Sequence, residues 1–185
     1  RKSWKKLSVD KTWSNKYFAD SIYVKIRNLF PGDKSFSSQA EVKKLLQKDI
    51  EGTLAKIKNA ISANMDALEV CEHNRWDIQQ LLMGYSPADE ELDDIFSRIN
   101  RGEDKSLIDK DYALWRAKNL KVAEFNKKIK VDVKECPLRI HPNICSFDHL
   151  DKVDSGAKKY DSDLCNSIPD IIRIVDGNGI AAKTI

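Results

Sequence analysis

The chain lacks any apolar run approaching the ~18 residues of a membrane-spanning helix, so a soluble piece without membrane contact is expected. It also lacks an excess of charge of one sign: 32 Lys+Arg against 29 Asp+Glu leave a net +3 over 185 residues. That balance does not suit a protein whose main task is gripping phosphate backbones, and nucleic acid is not expected as a partner. Cysteine is sparse and scattered, at Cys71, Cys136, Cys145 and Cys165. A chain long enough to bury a sizeable core has no need of a dense disulfide framework, so the expectation is four reduced thiols in a cytoplasmic protein.

The signatures of catalysis are missing as well. There is no Gly-rich phosphate loop, no G-x-S-x-G, and no paired H-x-x-x-H or C-x-x-C set. Cys71 and His73 stand two residues apart and point away from each other on a helix, which excludes a thiol–imidazole pair. Glu72 and His73 could serve as general acid and base, yet nothing supplies a nucleophile or a metal. Cys136, His141, Cys145 and His149 offer four metal-ligating side chains, but in the order C-x4-H-x3-C-x3-H rather than in tight knuckles. Pro137 and Pro142 also hold that stretch extended. Enzyme activity, a bound metal and a cofactor are therefore not expected.

What is present is ordinary globular material, 41% hydrophobic and 33% charged, enough for one large or two small domains. Beginning at Arg1 without a signal-peptide pattern, it reads as a domain of something longer, with attached domains elsewhere. Ser14 or Asn15 can cap a first helix with the apolar face Phe18, Ile22, Ile26, Leu29, ended by Pro31-Gly32. Ser38 to Glu41 fits a capping box. The strongest periodicity, Ile50 to Met83, predicts one long central helix stopped by Gly84, with Asn64 and Arg75 as polar intruders on its stripe. Arg75 can pair with Glu72, three residues earlier, or with a partner elsewhere. Ser86-Pro87-Ala88-Asp89 restarts a helix closed by Gly102, whose acids Asp89–Asp94 suit a solvated N-terminal face. A weaker helix is expected from Asp109 to Lys130, an extended loop or strand over Val131–Ser146, and a last helix from about Asp151, with Pro169 starting a new turn. Asp176-Gly177-Asn178-Gly179 predicts a terminal hairpin between Ile171–Val175 and Ile180–Ile185. Trp4-x-x-Leu7 with its following helix parallels Phe147-x-x-Leu150 with its own, a weak internal repeat that suggests pseudo-twofold halves around the central helix.

Five short motifs in order resemble a known family. Glu72-His73-Asn74-Arg75-Trp76, Gly84-Tyr85, His141-Pro142, Phe147-Asp148-x-Leu150 and Tyr160-Asp161 are similar to the ryanodine-receptor repeat (RyR) domain of bacterial type. The match covers about Val70–Ile172. Ser14, Asn15, Ala19, Ile22 and Lys25 resemble the flank that precedes that repeat. The departure is a long insertion over residues 86–135. The resemblance implies a single domain over 1–185: an N-terminal flank and helix at 1–30, the central helix at 50–84, the insertion, and the second half of the repeat at 136–185. It implies a mainly α fold with minor β, that is, a helical domain with short β segments. It also implies a regulatory, ligand-sensing module in which the tryptophan of the first motif, here Trp76, faces a purine-like ligand.

Each residue so marked keeps a plain structural reading beside the functional one. Trp76, next to Arg75 and one turn from Glu72 and His73, suits a nucleobase or fills a core. If it stacks on a base, a second aromatic plane is expected opposite it: Trp13, or Trp76 of a second chain. His73 is a hydrogen-bonded structural histidine or a ligand contact. Arg75 clamps a phosphate or neutralises a buried acid. His141-Pro142 is a rigid turn or a contact, and Tyr160-Asp161 cap the last helix or reach the site. Asn15 belongs to the site only through the flank pattern. The function expected is non-catalytic sensing of a nucleotide or purine-like small molecule that controls an attached domain. The alternative is a protein-interaction or homodimerisation module in which the basic, aromatic N-terminal stretch meets the acidic Asp89–Asp94 face.

Overall fold

The computed structural model describes the backbone over residues 9–128 and 140–177, and side chains over 11–119 and 140–176. Those residues form two compact units, one built from the chain up to His73 and from Lys159 onward, the other from Asn74–Lys158. All regular structure in both is helical.

In the first unit, α1 (Val9–Leu29) buries Phe18, Ile22 and Ile26 at four-residue steps. It starts before Ser14 and Asn15, so neither residue is its cap. Pro31-Gly32 ends it, and Gly32 takes the left-handed conformation (φ 81°) that a side chain would resist. After a 3-10 turn at Lys34–Phe36, Ser38 caps α2 (Gln39–Lys48) by accepting from the Glu41 amide. Asp49 closes α2 and caps α3 (Ile50–Ala63) through the Gly52 amide. Leu54, Ile57 and Ile61 of α3 join Val42, Leu46 and the α1 stripe in one core.

The long central helix expected from Ile50 is two helices, α3 and α4 (Met65–Leu82). The break lies at Asn64. Its side-chain amide donates to the Ala60 carbonyl (2.9 Å), the acceptor that its own backbone N–H would use in an unbroken helix. That N–H turns to Ile61 instead, and the residue leaves helical geometry (φ −128°, ψ 24°). The unit closes with α8 from Lys159 (α8 spans Ala157–Asn166), α9 (Ile168–Ile172) and one wide helical turn, Arg173–Gly177. Ile168, Ile172 and Asp176, four residues apart, are all buried. Asp176 accepts from the Tyr23 hydroxyl and pairs with Lys43 at 2.9 Å.

That wide turn overturns the terminal hairpin. The expected first arm, Ile171–Val175, is helical because Ile168, Ile172 and Asp176 reach the core at four-residue steps while Ile174 and Val175 stay exposed, and the expected second arm lies outside the described residues. Of the predicted extended stretch, residues 131–139 also lie outside. The only β pairing among the described residues is an isolated parallel bridge between Ser86 and Ile140. The α+β expectation with short β segments is therefore replaced by an all-helical architecture.

In the second unit, the end of α4 and α5 (Glu90–Asn100) stop alike. Gly84 (φ 82°) donates to the Leu81 carbonyl while Tyr85 reaches Gln80, and Gly102 and Glu103 repeat the pattern on Ile99 and Arg98. The cap of α5 is Asp89, not Ser86, which instead accepts from the His141 amide. α6 (Lys105–Lys128) begins four residues before the predicted start, where Asp104 accepts from the Ser106 amide (2.7 Å). Leu92 and Ile95 of α5 pack with Ile108 and Trp115 of α6 in a small core. The expected last helix is broken into α7 (Leu150–Val153), α8 and α9. Asp154 turns back to accept from the Gly156 amide (3.0 Å), and Pro169 sits in the first turn of α9. Asn100 clamps α7 to α5, donating to the Asp151 carbonyl (2.9 Å) and accepting from the Ser155 amide. The two stretches matched as an internal repeat thus fold differently: α1 is one helix of 21 residues, its counterpart three short ones.

Asp89 does two tasks, capping α5 at the Leu92 amide (2.8 Å) and accepting from the Trp115 indole N–H (3.0 Å). Asp89→Ala is expected to lower stability by about 2 kcal/mol, a lost cap plus a stranded indole donor. Glu90→Ala at the same helix end should change it by well under 1 kcal/mol, both read from urea unfolding curves.

Candidate functional site

Helix α4 carries the motif Glu72 to Trp76, and its side chains fall into two groups. In the first unit, Lys25 of α1 places its ammonium 2.8 Å from a Glu72 carboxylate oxygen, at 3% and 0% exposure. The same ammonium donates to Ser21 Oγ (2.7 Å) and lies 5.2 Å from the centre of the Phe18 ring. His73 Nδ1 stands 3.6 Å from an Asp161 oxygen, both side chains buried, longer than a hydrogen bond. The Ser162 hydroxyl donates to Glu69, and Cys165 Sγ to the Leu68 carbonyl. Burial pushes the Cys165 thiol up to about 12, with the Glu72 charge adding and Lys25 opposing. A thiol held that firmly protonated is not a nucleophile.

Lys25 is the participant that sequence reasoning left out of the site. Its signal was a lysine beside Ile26 on the buried side of α1, hidden because the surrounding stretch is basic throughout. Glu72 takes this partner from another helix, and Arg75 donates to Gln79 (3.0 Å) within α4.

In the second unit, the half-buried Trp76 ring meets His141, centroids 4.9 Å apart and planes at 78°. Tyr85 flanks the same imidazole at 6.3 Å and 70°. His141 thus stands edge-on to the indole rather than parallel to it. The His141-Pro142 turn is observed: the His141 carbonyl accepts from Ile144 (3.2 Å). Its Nδ1 accepts from the Asn143 backbone N–H (3.2 Å), and the Asn143 amide donates to Asp154 (3.0 Å). Burial lowers the His141 pKa, against a smaller upward pull from the Asp154 charge.

The remaining marked residues lie elsewhere. Trp13 is exposed on α1, with Tyr17 at 5.8 Å and the Lys16 ammonium 4.8 Å above its ring. Asn15 is exposed inside the same helix. Tyr160 is 76% exposed while its neighbour Asp161 is buried, and both lie within α8, where neither caps it. Cys136 is outside the described residues. No group of three metal-ligating side chains occurs among those described, and His149 instead bonds both oxygens of Asp93 (2.9 Å). The acids Asp89–Asp94 form a mostly exposed face, as expected, and also pair locally: Asp89 with Trp115, Glu91 with Lys118, Asp93 with His149 and Asp94 with Arg98. No described helix is long and apolar enough to cross a membrane.

Comparison with known proteins finds no matching family model, no matching curated protein and no matching solved structure. The ryanodine-receptor-repeat resemblance therefore rests on the short motifs alone, and the β segments it implied are absent from the described residues.

Two measurements probe these groups. Lys25→Met strands the Glu72 carboxylate in the core and is expected to cost about 3–5 kcal/mol, whereas the Lys25→Met, Glu72→Leu double variant should recover most of it in denaturant melts. For His141, a native pKa below the unfolded value of ~6.5 means that the unfolded chain binds the proton first. Stability should therefore fall as pH drops from 7 through ~6.5 toward the lower native value. In urea melts across pH 5–7.5 that component should vanish in His141→Gln.

Proposed function

We propose that this chain is a non-catalytic sensing module that binds a nucleotide or related purine compound at Trp76 and controls an attached domain. The observation that supports it is the half-buried Trp76 indole, flanked edge-on by His141, with Arg75 its neighbour in sequence. An indole offers a flat π surface on which a base stacks at ~1–3 kcal/mol, and a guanidinium suits a phosphate. Asp161 and Glu72, marked with them, act in this reading as buried structural partners of His73 and Lys25. The free thiols Cys71 and Cys165 fit a reducing compartment such as the cytoplasm.

The interaction-module alternative drew on an acidic α5 face seeking basic partners. Four of its five acids are engaged within their own unit, which favours the small-molecule reading over self-association through that face.

The test is thermal unfolding with ATP, GTP, cyclic AMP and ADP-ribose at millimolar concentration. At 100 times its dissociation constant, a true ligand stabilises by ~2.7 kcal/mol. Trp76→Ala should abolish that gain while lowering stability by about 1–2 kcal/mol, less than the ~3–5 of a fully buried tryptophan. No gain with any of the four compounds would sink the reading.

A further inference from the structure

We propose that His141 is the specificity-determining donor of the Trp76 site, presenting Nε2–H to an in-plane acceptor of the bound ring, with Asn143 and Asp154 as positioning residues. The proposal rests on the preceding reading for its ligand and on separate geometry for its donor.

The geometry is a chain of anchored groups in one unit. Both backbone groups of His141 are held, its N–H by the Ser86 carbonyl (3.0 Å) and its carbonyl by Ile144. Its Nδ1 accepts from the Asn143 N–H, so the lone pair sits there and the proton of the neutral ring sits on Nε2. Asn143 is fixed through Asp154 Oδ2, and Asp154 is fixed in turn: Oδ1 accepts from Gly156 (3.0 Å) and its N–H reaches the Leu150 carbonyl (2.8 Å). Protonating Nδ1 would set N–H against N–H, an arrangement that keeps the ring neutral and its tautomer single. A ring standing at 78° to the indole adds no second stacking wall. It brings an edge, with one directional donor, to the rim of a flat ligand lying along Trp76. Heterocycles with a ring nitrogen or carbonyl at that rim are selected, and flat hydrocarbons or rings with only donors there are rejected, because a ligand that covers the donor without accepting from it leaves it unpaired.

Long-range proton–nitrogen spectra of histidine-labelled protein, assigned with His141→Phe, test the tautomer directly. The expected result is Nε2–H at His141 at pH 7, turning into a tautomer mixture in Asn143→Ala and Asp154→Asn. Calorimetric titration with ATP and GTP tests the role. His141→Phe should weaken binding roughly five- to tenfold, and His141→Gln, which keeps a side-chain N–H, should recover part of the loss. An Nδ1–H tautomer, or His141→Phe binding both nucleotides as the parent does, would overturn the proposal. If the parent binds none of ATP, GTP, cyclic AMP and ADP-ribose, the sensing reading fails and the donor role falls with it. The positioning of His141 by Asn143 and Asp154 is decided by the spectra alone.

Discussion

An ammonium and a carboxylate 2.8 Å apart in an apolar interior are the constraint on which the first unit depends. Neither Lys25 nor Glu72 tolerates that interior alone, so α1 and the first turns of α4 have one register that keeps the two together. Around the pair, two further side chains and one carbonyl of α4 meet α8. His73 faces Asp161, Glu69 accepts from Ser162, and the Leu68 carbonyl takes the Cys165 thiol. Apolar stripes bring these helices into contact in many similar ways. The polar pairs select among them, because a slip by one residue would leave charges buried without partners.

The second unit solves a different problem. Its core is small, centred on Leu92, Ile95, Ile108 and Trp115, and short polar side chains tie its elements together. Asp89 caps one helix while holding the indole of another. Asn100 uses both ends of its amide on the backbone around α7. Asp154 turns its own loop and holds Asn143. Each satisfies several backbone or ring donors and acceptors at once, so irregular connections become as ordered as helices. His141 stands at the end of this series, its backbone and Nδ1 held by neighbours in the same unit.

Much of this was legible from residue order. The face of α1, the Ser38 cap and the glycine stops at Gly32, Gly84 and Gly102 follow from local rules: helical period, a side-chain oxygen near free amides, and a positive φ that only glycine takes without strain. These interactions span at most five residues, so the neighbours in sequence are the neighbours in space. The motif around Trp76 was also visible, as was the turn at His141-Pro142.

What local rules could not decide were the competitions. Asn64 inside an apolar repeat reads as a tolerated intruder until its amide is seen taking the Ala60 carbonyl and splitting the helix. Ile171–Val175 has strand composition next to a turn signal, yet Ile172 and Asp176 find core and partners only when wound helically. Asp89–Asp94 reads as a solvated acidic face, and only the fold brings Trp115, Lys118 and His149 to it. Lys25 and Glu72 are 47 residues apart, and His141 reaches Trp76 across 65. Sequence by itself determined the buried face of α1, the Ser38 cap of α2 and the helix stops at Gly32, Gly84 and Gly102, because helical period, capping and glycine conformations are local. Tertiary structure alone decided which charges are buried, which helices break and which histidine faces the tryptophan, because those outcomes depend on partners that the chain meets only when folded.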